Sequence, residues 1–393
     1  MHKNNITKII DCKGITVEDI KISNNEEYVH IYAKVDKPKN CPHCGSKNIW
    51  VHDHRIQKVK DTPITGKPSI IHLKKTRYNC KHCGKRFEGT QDLVPKHYTI
   101  TLRLVLNILD EFKEVYSIKS IAKRYNLSWH TITRIVNMIP SIRNPLPKVM
   151  CIDEFKGDTG GHKYHLSILD GETHKLIDIV KSRTNQSLNN YFRSITTEEK
   201  DQVKYYITDM YKPYKTVKES YFPKAIHIID KYHFIRQVTW AMENTRKKVQ
   251  KEKSKELRLY MKRSKSLLTK PAKNLKEHEK SEVALMLELN EDIKKAYKLK
   301  ELFYEYVLTQ TNKEDAKRCL KDWIRRAEMS GLKEYKECIR CFTNWFEEIT
   351  NSFDYPYTNG PLEGFHTKIK TLKRNSFGLR NFEIFRKRIF AIS

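Results

Sequence analysis

The sequence predicts a multidomain α+β protein, and three observations support that prediction. Its 393 residues exceed what one ordinary hydrophobic core accommodates, so two to four domains are expected. The hydrophobic pattern alternates between a strand-like and a helical period along the chain. Two Cys-x-x-Cys pairs lie in the first strand-like stretch. The expected order is a β-rich module, a helical module, an α/β core, an all-helical insertion and a return to the core.

The changes of period also set the expected domain boundaries. The turn-rich segment at residues 143–147 separates the helical module from the strand-like runs that follow it. The expected divisions are a β-rich module at 1–98, a helical module at 99–145, the first part of the core at 146–239, the insertion at 240–350, and the C-terminal part of the core at 351–393.

The two cysteine pairs predict a structural zinc site. Cys41 and Cys44 form one pair, Cys80 and Cys83 form the other, and a glycine follows each pair. Four thiolates match tetrahedral zinc, and the glycines let the backbone turn tightly around the metal. We therefore predict a zinc ribbon over residues 41–87. The alternatives are a redox-active thiol pair, unrelated core cysteines, or the participation of two intervening histidines, His52 and His54.

Residues 117–136 fit a helix-turn-helix. Ile121 and Ile132 would face inward, Asn126 would provide the left-handed turn, and Ser128 would cap the second helix. The remaining side chains of the second helix are then free for a DNA groove and its phosphates. They are Trp129, His130, Thr131, Thr133 and Arg134. The alternative is a helical hairpin that has no role with DNA.

The core shows the strand order of a ribonuclease-H-like fold. Three antiparallel strands, a helix and two further strands are expected at Val149–Ile152, Tyr164–Leu169, Lys175–Val180, Gln186–Ser194, Lys204–Thr208 and Ala225–Ile229. In that order the ends of the first and fourth strands lie side by side. Asp153 follows the first strand and Asp209 follows the fourth. The two carboxylates would therefore share one site.

A third carboxylate, Glu363, follows Pro361 in what should be the first turn of a helix. Three carboxylates can hold two magnesium ions for an in-line phosphoryl displacement. Spacing alone leaves alternatives open, because acids at strand ends also solvate loops or cap helices. Glu154 and Asp230 are rival ligands, although Glu154 should point to the opposite face of its strand from Asp153.

The charge balance indicates a polyanionic partner. The chain carries 76 Lys and Arg against 47 Asp and Glu, a formal net charge of +29. The basic residues are especially dense from Arg246 to Lys280, where they would either contact phosphates or form solvated helix faces. Trp323, Trp345 and Phe346 are expected to form a helical core, and Cys338 with Cys341 to be packed thiols.

The chain contains no apolar run of the roughly 20 residues that a membrane helix needs. The N-terminus also leads into no apolar segment of signal-peptide length. We therefore expect a cytoplasmic, nucleoid-associated bacterial protein without a membrane partner. In that compartment the nine cysteines should be reduced thiols.

Taken in order, these motifs resemble the ISL-three type of insertion-sequence transposases, which belong to the DDE superfamily. The resemblance covers nearly the whole chain. Besides the ribbon and the helix-turn-helix, it rests on short segments around the acids and in the C-terminal tail, namely Ile152–Phe155, Thr208–Met210, Ile229–Phe234, Asn359–Gly364, Lys368–Arg374 and Phe377–Phe382.

The resemblance implies that Asp153, Asp209 and Glu363 are the catalytic acids and hold Mg²⁺ or Mn²⁺. It further implies binding to double-stranded DNA at terminal inverted repeats, 3′-end cleavage, strand transfer into a target, and a homo-oligomer on paired ends. Family members often carry Asn where this chain has His366, so no role is assigned to it. Asp230 and His233 are expected to be structural or supporting.

Two rival functions stay open at this stage. The first is a non-catalytic, sequence-specific DNA-binding protein, either a regulator or a transposase remnant. The second is a nuclease that cuts DNA without rejoining it. The three acids standing together in complete motifs favour the catalytic alternative over a remnant.

Overall fold

The computed structural model describes residues 12–23 and 27–393, which form two compact units. The first unit combines the described part of Met1–Ser141 with Lys368–Ser393, and the second is Ile142–Thr367. The expectation about a signal peptide concerns residues 1–11, which lie outside the described residues. Among the helices that the structure describes, none has the length and apolar character needed to cross a bilayer.

The first unit contains a mixed five-stranded sheet. Its strands are β1 (Ile15–Ile22), β2 (Val29–Val35), β3 (Ile49–Ile64), β4 (Lys67–Cys80) and β5 (Arg86–Glu88). The order is β1-β2-β4-β3, and β5 also pairs with β4. Of the pairings between these strands in the described residues, β2–β4 is parallel and the others are antiparallel. Ile31, Val59, Ile71 and Leu73 are fully buried on one face of this sheet. The predicted β-rich character of this region is confirmed.

Three short helices follow in the first unit: α1 (Leu102–Glu111), α2 (Ile118–Arg124) and α3 (Trp129–Val136). The local predictions for this segment are confirmed. Asn126 adopts a left-handed φ of 50° between α2 and α3, and the hydroxyl of Ser128 accepts a hydrogen bond from the backbone N–H of Thr131. Ile121 and Ile132 are fully buried in the core that the three helices share.

The second unit is built on another five-stranded sheet. Its strands are β6 (Val149–Thr159), β7 (His162–Asp170), β8 (Leu176–Val180), β9 (Tyr205–Thr208) and β10 (Ile226–Ile229), in the order β10-β9-β6-β7-β8. Strands β6, β7 and β8 are antiparallel, and β9 and β10 run parallel to β6. The connecting helices are α4 (Asn185–Arg193), α5 (Thr197–Asp201) and α6 (Lys212–Tyr221).

The predicted succession of strands and helix in this sheet is confirmed, but one boundary was wrong. The first strand was expected to end at Ile152, whereas β6 continues to Thr159. The reason is the pairing with β7, which extends from the pair of Met150 with Asp170 to the pair of Thr159 with His162. Asp153 therefore lies inside a strand rather than after one.

A run of helices follows β10 and covers the segment predicted as the helical insertion. It comprises α7 (Lys231–Lys251), α8 (Lys255–Arg263), α9 (Lys265–Thr269), a 3₁₀ turn (Ala272–Asn274), α10 (Glu277–Glu288), α11 (Glu291–Leu302), a π-helical turn (Phe303–Val307), α12 (Lys313–Met329), a second 3₁₀ turn (Lys333–Tyr335), α13 (Lys336–Asn344) and α14 (Phe346–Asn351). The predicted boundary at residue 240 falls inside α7, which begins at Lys231 and is continuous through that position.

The insertion has its own hydrophobic core. Trp323 and Trp345 are buried in it and Phe346 packs against it, as predicted. Cys338 is buried in the same core, and the sulfur of Cys341 lies 3.3 Å from that of Met210. These two cysteines are therefore packed thiols, as expected.

Part of the dense basic charge in the insertion is internal. Arg246 is buried, and its guanidinium donates to the carboxylate of Glu243, to the side chain of Gln250 and to the carbonyl of Met261. Lys300 is also fully buried and donates to the carbonyl of Lys270. These two cations stabilise the insertion and are not available to an external phosphate.

The C-terminal helices are α15 (Gly360–Asn375) and α16 (Phe382–Ile392). Residues 351–393 were expected to return to the core as one piece, but Lys368–Ser393 belongs to the first unit. The buried guanidinium of Arg388 explains the difference, because it donates to the carbonyls of Phe112, Glu114 and Tyr116 beyond the end of α1. The C-terminal helix α16 is thereby tied to the three-helix core.

Candidate active site

Asp153 lies on β6 and Asp209 directly follows β9, at matching positions relative to these two parallel neighbouring strands. The last paired residues of β6 and β9 are Cys151 and Ile207, and each aspartate follows two residues later. Side chains two residues apart point to the same face of a strand. The two carboxylates therefore come together where β9 ends and β6 continues, and one oxygen of each lies within 4.8 Å of the other.

The surroundings of the two aspartates disfavour negative charge. Burial, reinforced by the charge of Asp209, raises the pKa of Asp153 to about 8. Burial, reinforced by the charge of Glu154, raises the pKa of Asp209 to about 7. The backbone N–H of Tyr211 donates to Asp209 at 3.0 Å and opposes that shift. Such a group of like charges is stabilised by a cation.

Glu154, a rival ligand in the sequence analysis, joins the two aspartates although its side chain was expected to point to the opposite face of the strand. Its carboxylate accepts hydrogen bonds from the guanidinium of Arg183 and from the hydroxyl of Tyr214, the latter at 2.9 Å. These partners lie on the opposite side of β6 from those of Asp153, as alternation along a strand requires. Even so, one oxygen of Glu154 is within 4.8 Å of both aspartate oxygens.

Glu363 is grouped with a different pair of side chains. One oxygen of Glu363, one oxygen of Asp230 and one ring nitrogen of His233 lie within 4.8 Å of one another. Asp230 directly precedes α7, His233 lies in its first turn, and Glu363 lies in the first turn of α15. The charge of Glu363 also contributes to the raised pKa of Asp153, so the two groups interact electrostatically.

Asn359 connects the two groups of acids, and sequence reasoning assigned it no role. It is fully buried; its side-chain amide donates to the carbonyl of Ile152 at 3.2 Å, and its backbone N–H donates to Asp230 at 3.3 Å. Asn359 therefore fixes the strand just before Asp153 relative to the start of α7. Its place in the Asn-Gly-Pro turn was the available signal.

His366 also lies against Asp153. Its Nδ1 atom is 3.6 Å from a carboxylate oxygen of Asp153, and its Nε2 atom is 2.6 Å from the hydroxyl oxygen of Ser167. The ring is buried and lies one helical turn after Glu363 on α15. The structure therefore gives a location to a residue for which sequence reasoning assigned no role.

The four predicted cysteines converge in the first unit. The sulfurs of Cys41 and Cys83 are 3.7 Å apart, and those of Cys44 and Cys80 are 3.5 Å apart. Tetrahedral zinc with bonds of about 2.3 Å requires sulfurs separated by about 3.8 Å, so the cluster fits the ion. Among the described residues, neither His52 nor His54 belongs to this group.

The glycine after each cysteine pair adopts the predicted turn conformation. Gly45 and Gly84 have φ values of 74° and 70°, in the left-handed region. Their N–H groups donate to the carbonyls of Cys41 and Cys80 at 2.9 and 3.0 Å. The two knuckles are thus closely similar, as expected for a structural zinc site.

The side chains predicted to contact DNA lie on the outer face of α3. Trp129 is 58% exposed, His130 and Arg134 are exposed, and Thr131 and Thr133 are half-buried. The rings of Trp129 and His130 stack with centroids 3.7 Å apart. All five positions are therefore accessible to a ligand.

Comparisons with known proteins bear on both units. A profile of the ISL3 type of DDE transposases, described as a transposase, matches residues 150–389. A second profile, the zinc finger of transposases IS204/IS1001/IS1096/IS1165, matches residues 37–83. The chain is 22% identical to the transposase for insertion sequence element IS1001 of Bordetella parapertussis, over 90% of this chain and 89% of that protein.

A shorter match is to an ATP-dependent protease of Lactococcus lactis subsp. lactis. It is 42% identical over 55 residues, which are 14% of this chain and 18% of that protein. A match of that extent says nothing about the acid clusters as a whole.

Proposed function

The chain belongs to the ISL3 family of insertion-sequence transposases, and we propose that it cuts DNA at the ends of such an element and joins them to a target. The proposed catalytic residues are Asp153, Asp209 and Glu363. The second unit would be a ribonuclease-H-like catalytic core interrupted by the helical insertion. The strand order β10-β9-β6-β7-β8 supports this interpretation.

One observation carries the proposal: two largely buried aspartates meet at matching positions of neighbouring parallel strands. An acid that only solvates a loop or caps a helix has no reason to be buried against a second acid. The raised pKa values of Asp153 and Asp209 express the cost of holding these charges together. Perturbed carboxylates of this kind are concentrated at functional sites.

The carboxylates fit magnesium or manganese, because hard divalent cations prefer oxygen ligands. Asp153, Asp209 and Glu363 would hold the ions, which supply charge stabilisation to the oxygens of the attacked phosphate. Glu154 and Asp230 stand close enough to take part. Glu363 is grouped with Asp230 and His233 rather than with Asp153 and Asp209. Its side chain would therefore turn towards the two aspartates when ions are bound.

The chain's own residues would prepare this site in two ways. The N–H of Tyr211 and that of Glu154 orient Asp209 and Asp153 through hydrogen bonds of 3.0 and 2.8 Å. Arg183 and Tyr214 hold Glu154 beside them. The fixed carboxylates would thus present oxygens in one place, which lowers the reorganisation needed when a phosphate enters.

The first unit would recognise DNA. Helix α3 would enter the major groove as the second helix of a helix-turn-helix, and its accessible side chains would contact bases and phosphates. The four-cysteine cluster would be a zinc ribbon that supports the long strands β3 and β4. The net charge of +29 favours both the element ends and the target DNA. Joining two ends requires a homo-oligomer on paired DNA ends.

The experiment compares the unaltered protein with Asp209→Asn on the DNA that flanks its own coding sequence. With magnesium, the unaltered protein should nick one strand at the element end and join the 3′ end to a target plasmid. Asp209→Asn should bind that DNA equally well but lose nicking by about a thousandfold or more. Asp201→Asn, which removes an acid from helix α5, is the matched control and should retain activity.

Two outcomes would reject the proposal. Nicking by Asp209→Asn at the normal rate would mean that the acids are misassigned. Specific binding without any nicking by the unaltered protein would indicate a DNA-binding regulator or remnant. Nicking without joined products would restrict the activity to that of a nuclease.

A further inference from the structure

Three exposed side chains form one stripe along the first half of helix α7. Tyr232, Arg236 and Trp240 are spaced four residues apart, so they lie one above the other on the same face. Tyr232 is 53% exposed and Trp240 is 46% exposed. The guanidinium carbon of Arg236 lies 6.0 Å from the ring centroid of Tyr232 and 4.2 Å from that of Trp240.

This stripe is unusual for a surface helix, because two large aromatic rings are left in water around a cation. The inward face of the same helix carries Phe234 and Val238, which are fully buried, so the stripe is not needed to attach α7 to the insertion. No Asp or Glu occurs between Lys231 and Met242. The stripe is therefore aromatic and carries the positive charge of Arg236 with no acid on its own stretch of helix, which suits a ligand with flat rings and phosphate charge.

The stripe begins at the proposed active site. Tyr232 directly precedes His233, which is grouped with Asp230 and Glu363. The positive charge of Arg236 acts on His233, so the guanidinium lies near the acids as well as between the rings. A strand end held at the carboxylates would therefore have the stripe beside it.

We infer that Tyr232, Arg236 and Trp240 bind unpaired bases of the DNA end, which stack on the rings while the guanidinium meets the phosphate between them. Unpaired bases fit better than duplex, because bases inside a duplex already stack on one another and do not expose their faces. This inference rests on the proposed function, since it requires DNA at the acids. In this role the stripe would keep the bound strand end separated from its complementary strand.

The test measures binding without cleavage. The probe is a mixed-sequence duplex with an unpaired 3′ tail of about six nucleotides containing 2-aminopurine, and the comparison is the blunt duplex. Magnesium is left out, so the result does not depend on catalysis. Trp240→Ala should weaken binding to the tailed probe by about 5- to 100-fold and abolish the fluorescence change of 2-aminopurine. Binding to the blunt duplex should change less than about twofold, and Trp240→Phe should restore most of the tailed binding.

Leu285→Ala is the matched control, because it truncates another exposed apolar side chain, on α10 of the same insertion. It should change neither probe's affinity. Asp209→Asn should retain the fluorescence change, which separates this inference from the proposed chemistry. If neither the unaltered protein nor any variant nicks DNA, but the tailed probe still binds through the stripe, only the proposed function is rejected.

Three results would overturn the inference. One is equal binding of the tailed probe by Trp240→Ala and the unaltered protein. Another is an equal loss of affinity for tailed and blunt DNA in Trp240→Ala, which would indicate a phosphate contact. The third is a Trp240→Ala protein that binds the tailed probe normally but has a changed oligomeric state without DNA, which would make the stripe an interface between copies of the chain.

Discussion

The Nε2 atom of His366 lies 2.6 Å from the Oγ atom of Ser167, whose hydroxyl is also 3.0 Å from the backbone carbonyl of Asp153. The other ring nitrogen of His366 faces the carboxylate of Asp153 at 3.6 Å. The imidazole therefore connects one proposed catalytic acid to the strand next to it. We expect it to hold Asp153 in position.

We expect His366→Ala to lower the nicking rate by about 10- to 100-fold, as is usual when a residue behind a metal ligand is removed. The loss should come with weaker apparent magnesium affinity, so a higher magnesium concentration should recover part of the rate. His366→Asn keeps a hydrogen-bonding side chain of suitable reach and should retain most activity. Equal activity of His366→Ala and the unaltered protein at limiting magnesium would refute this role.

The raised pKa values of Asp153 and Asp209 predict an unusual pH dependence of stability. Their values of about 8 and about 7 lie well above the roughly 3.9 of an unfolded chain. Between these limits the two aspartates bind more protons in the folded, metal-free protein than in the unfolded chain. Their contribution to stability therefore falls as pH rises from about 4 to about 8.

Thermal unfolding in a chelating buffer measures this effect. The melting temperature of the unaltered protein should fall between about pH 6 and pH 8.5. It should fall less in the double variant that carries both Asp153→Asn and Asp209→Asn, because that protein lacks both titrating groups. Magnesium should recover the loss at the higher pH and have little effect at the lower pH. Parallel curves for the two proteins would contradict the prediction.

Cys80→Ser should release the zinc from the first unit. The variant leaves three thiolates, and structural zinc contributes folding energy outright in sites of this kind. Metal analysis of the purified protein should find about one zinc ion per unaltered chain and close to none in the variant. Cys12→Ser changes a cysteine of the same unit outside the cluster and should leave the zinc content unchanged. Equal zinc in both variants would contradict the assignment.

Arg388→Met should destabilise the first unit by about 3 kcal/mol, because it removes a charged donor from three buried or partly buried carbonyls. Methionine keeps much of the aliphatic volume, so the change tests the hydrogen bonds. Chemical denaturation measures the difference in the free energy of unfolding. Glu383→Ala, at an exposed position of the same helix, should change that free energy by less than about 0.5 kcal/mol.

Arg134→Ala should weaken binding to the element end and make it less dependent on salt. An exposed arginine that meets a phosphate contributes about one unit to the slope of log affinity against log salt concentration. Arg134→Lys keeps the charge, so it should retain the slope even if it loses affinity through its different geometry. An unchanged slope in Arg134→Ala would show that α3 does not contact the backbone through this residue.

Local patterns predicted much of this structure. Asn126 and Ser128 set the turn between α2 and α3 through backbone preferences that each residue carries by itself. The spacing of the cysteines likewise predicted their convergence. Asp153 and Asp209 were placed together because strand order fixes which strand ends are neighbours.

Other features depend on contacts that leave no local trace. Glu154 reaches the aspartates because Arg183 and Tyr214, from separate elements, hold its carboxylate there. Arg388 ties α16 to carbonyls more than 270 positions earlier in the chain. Alternation along a strand and helical periodicity do not encode such pairings. The sequence therefore offered Glu154 and Asp230 as rival ligands without deciding whether they join the site, and it did not predict the place of the C-terminal helices.

The helical insertion stands between Asp209 and Glu363 in the chain. A ribosome makes the two aspartates first and reaches the glutamate only after the entire insertion has been synthesised. A nascent or prematurely terminated chain therefore holds two of the three proposed acids and lacks the third. Such a fragment also lacks α16, which contributes to the core of the first unit. The set of proposed acids and the first unit are therefore both completed only when the C-terminal helices have been synthesised.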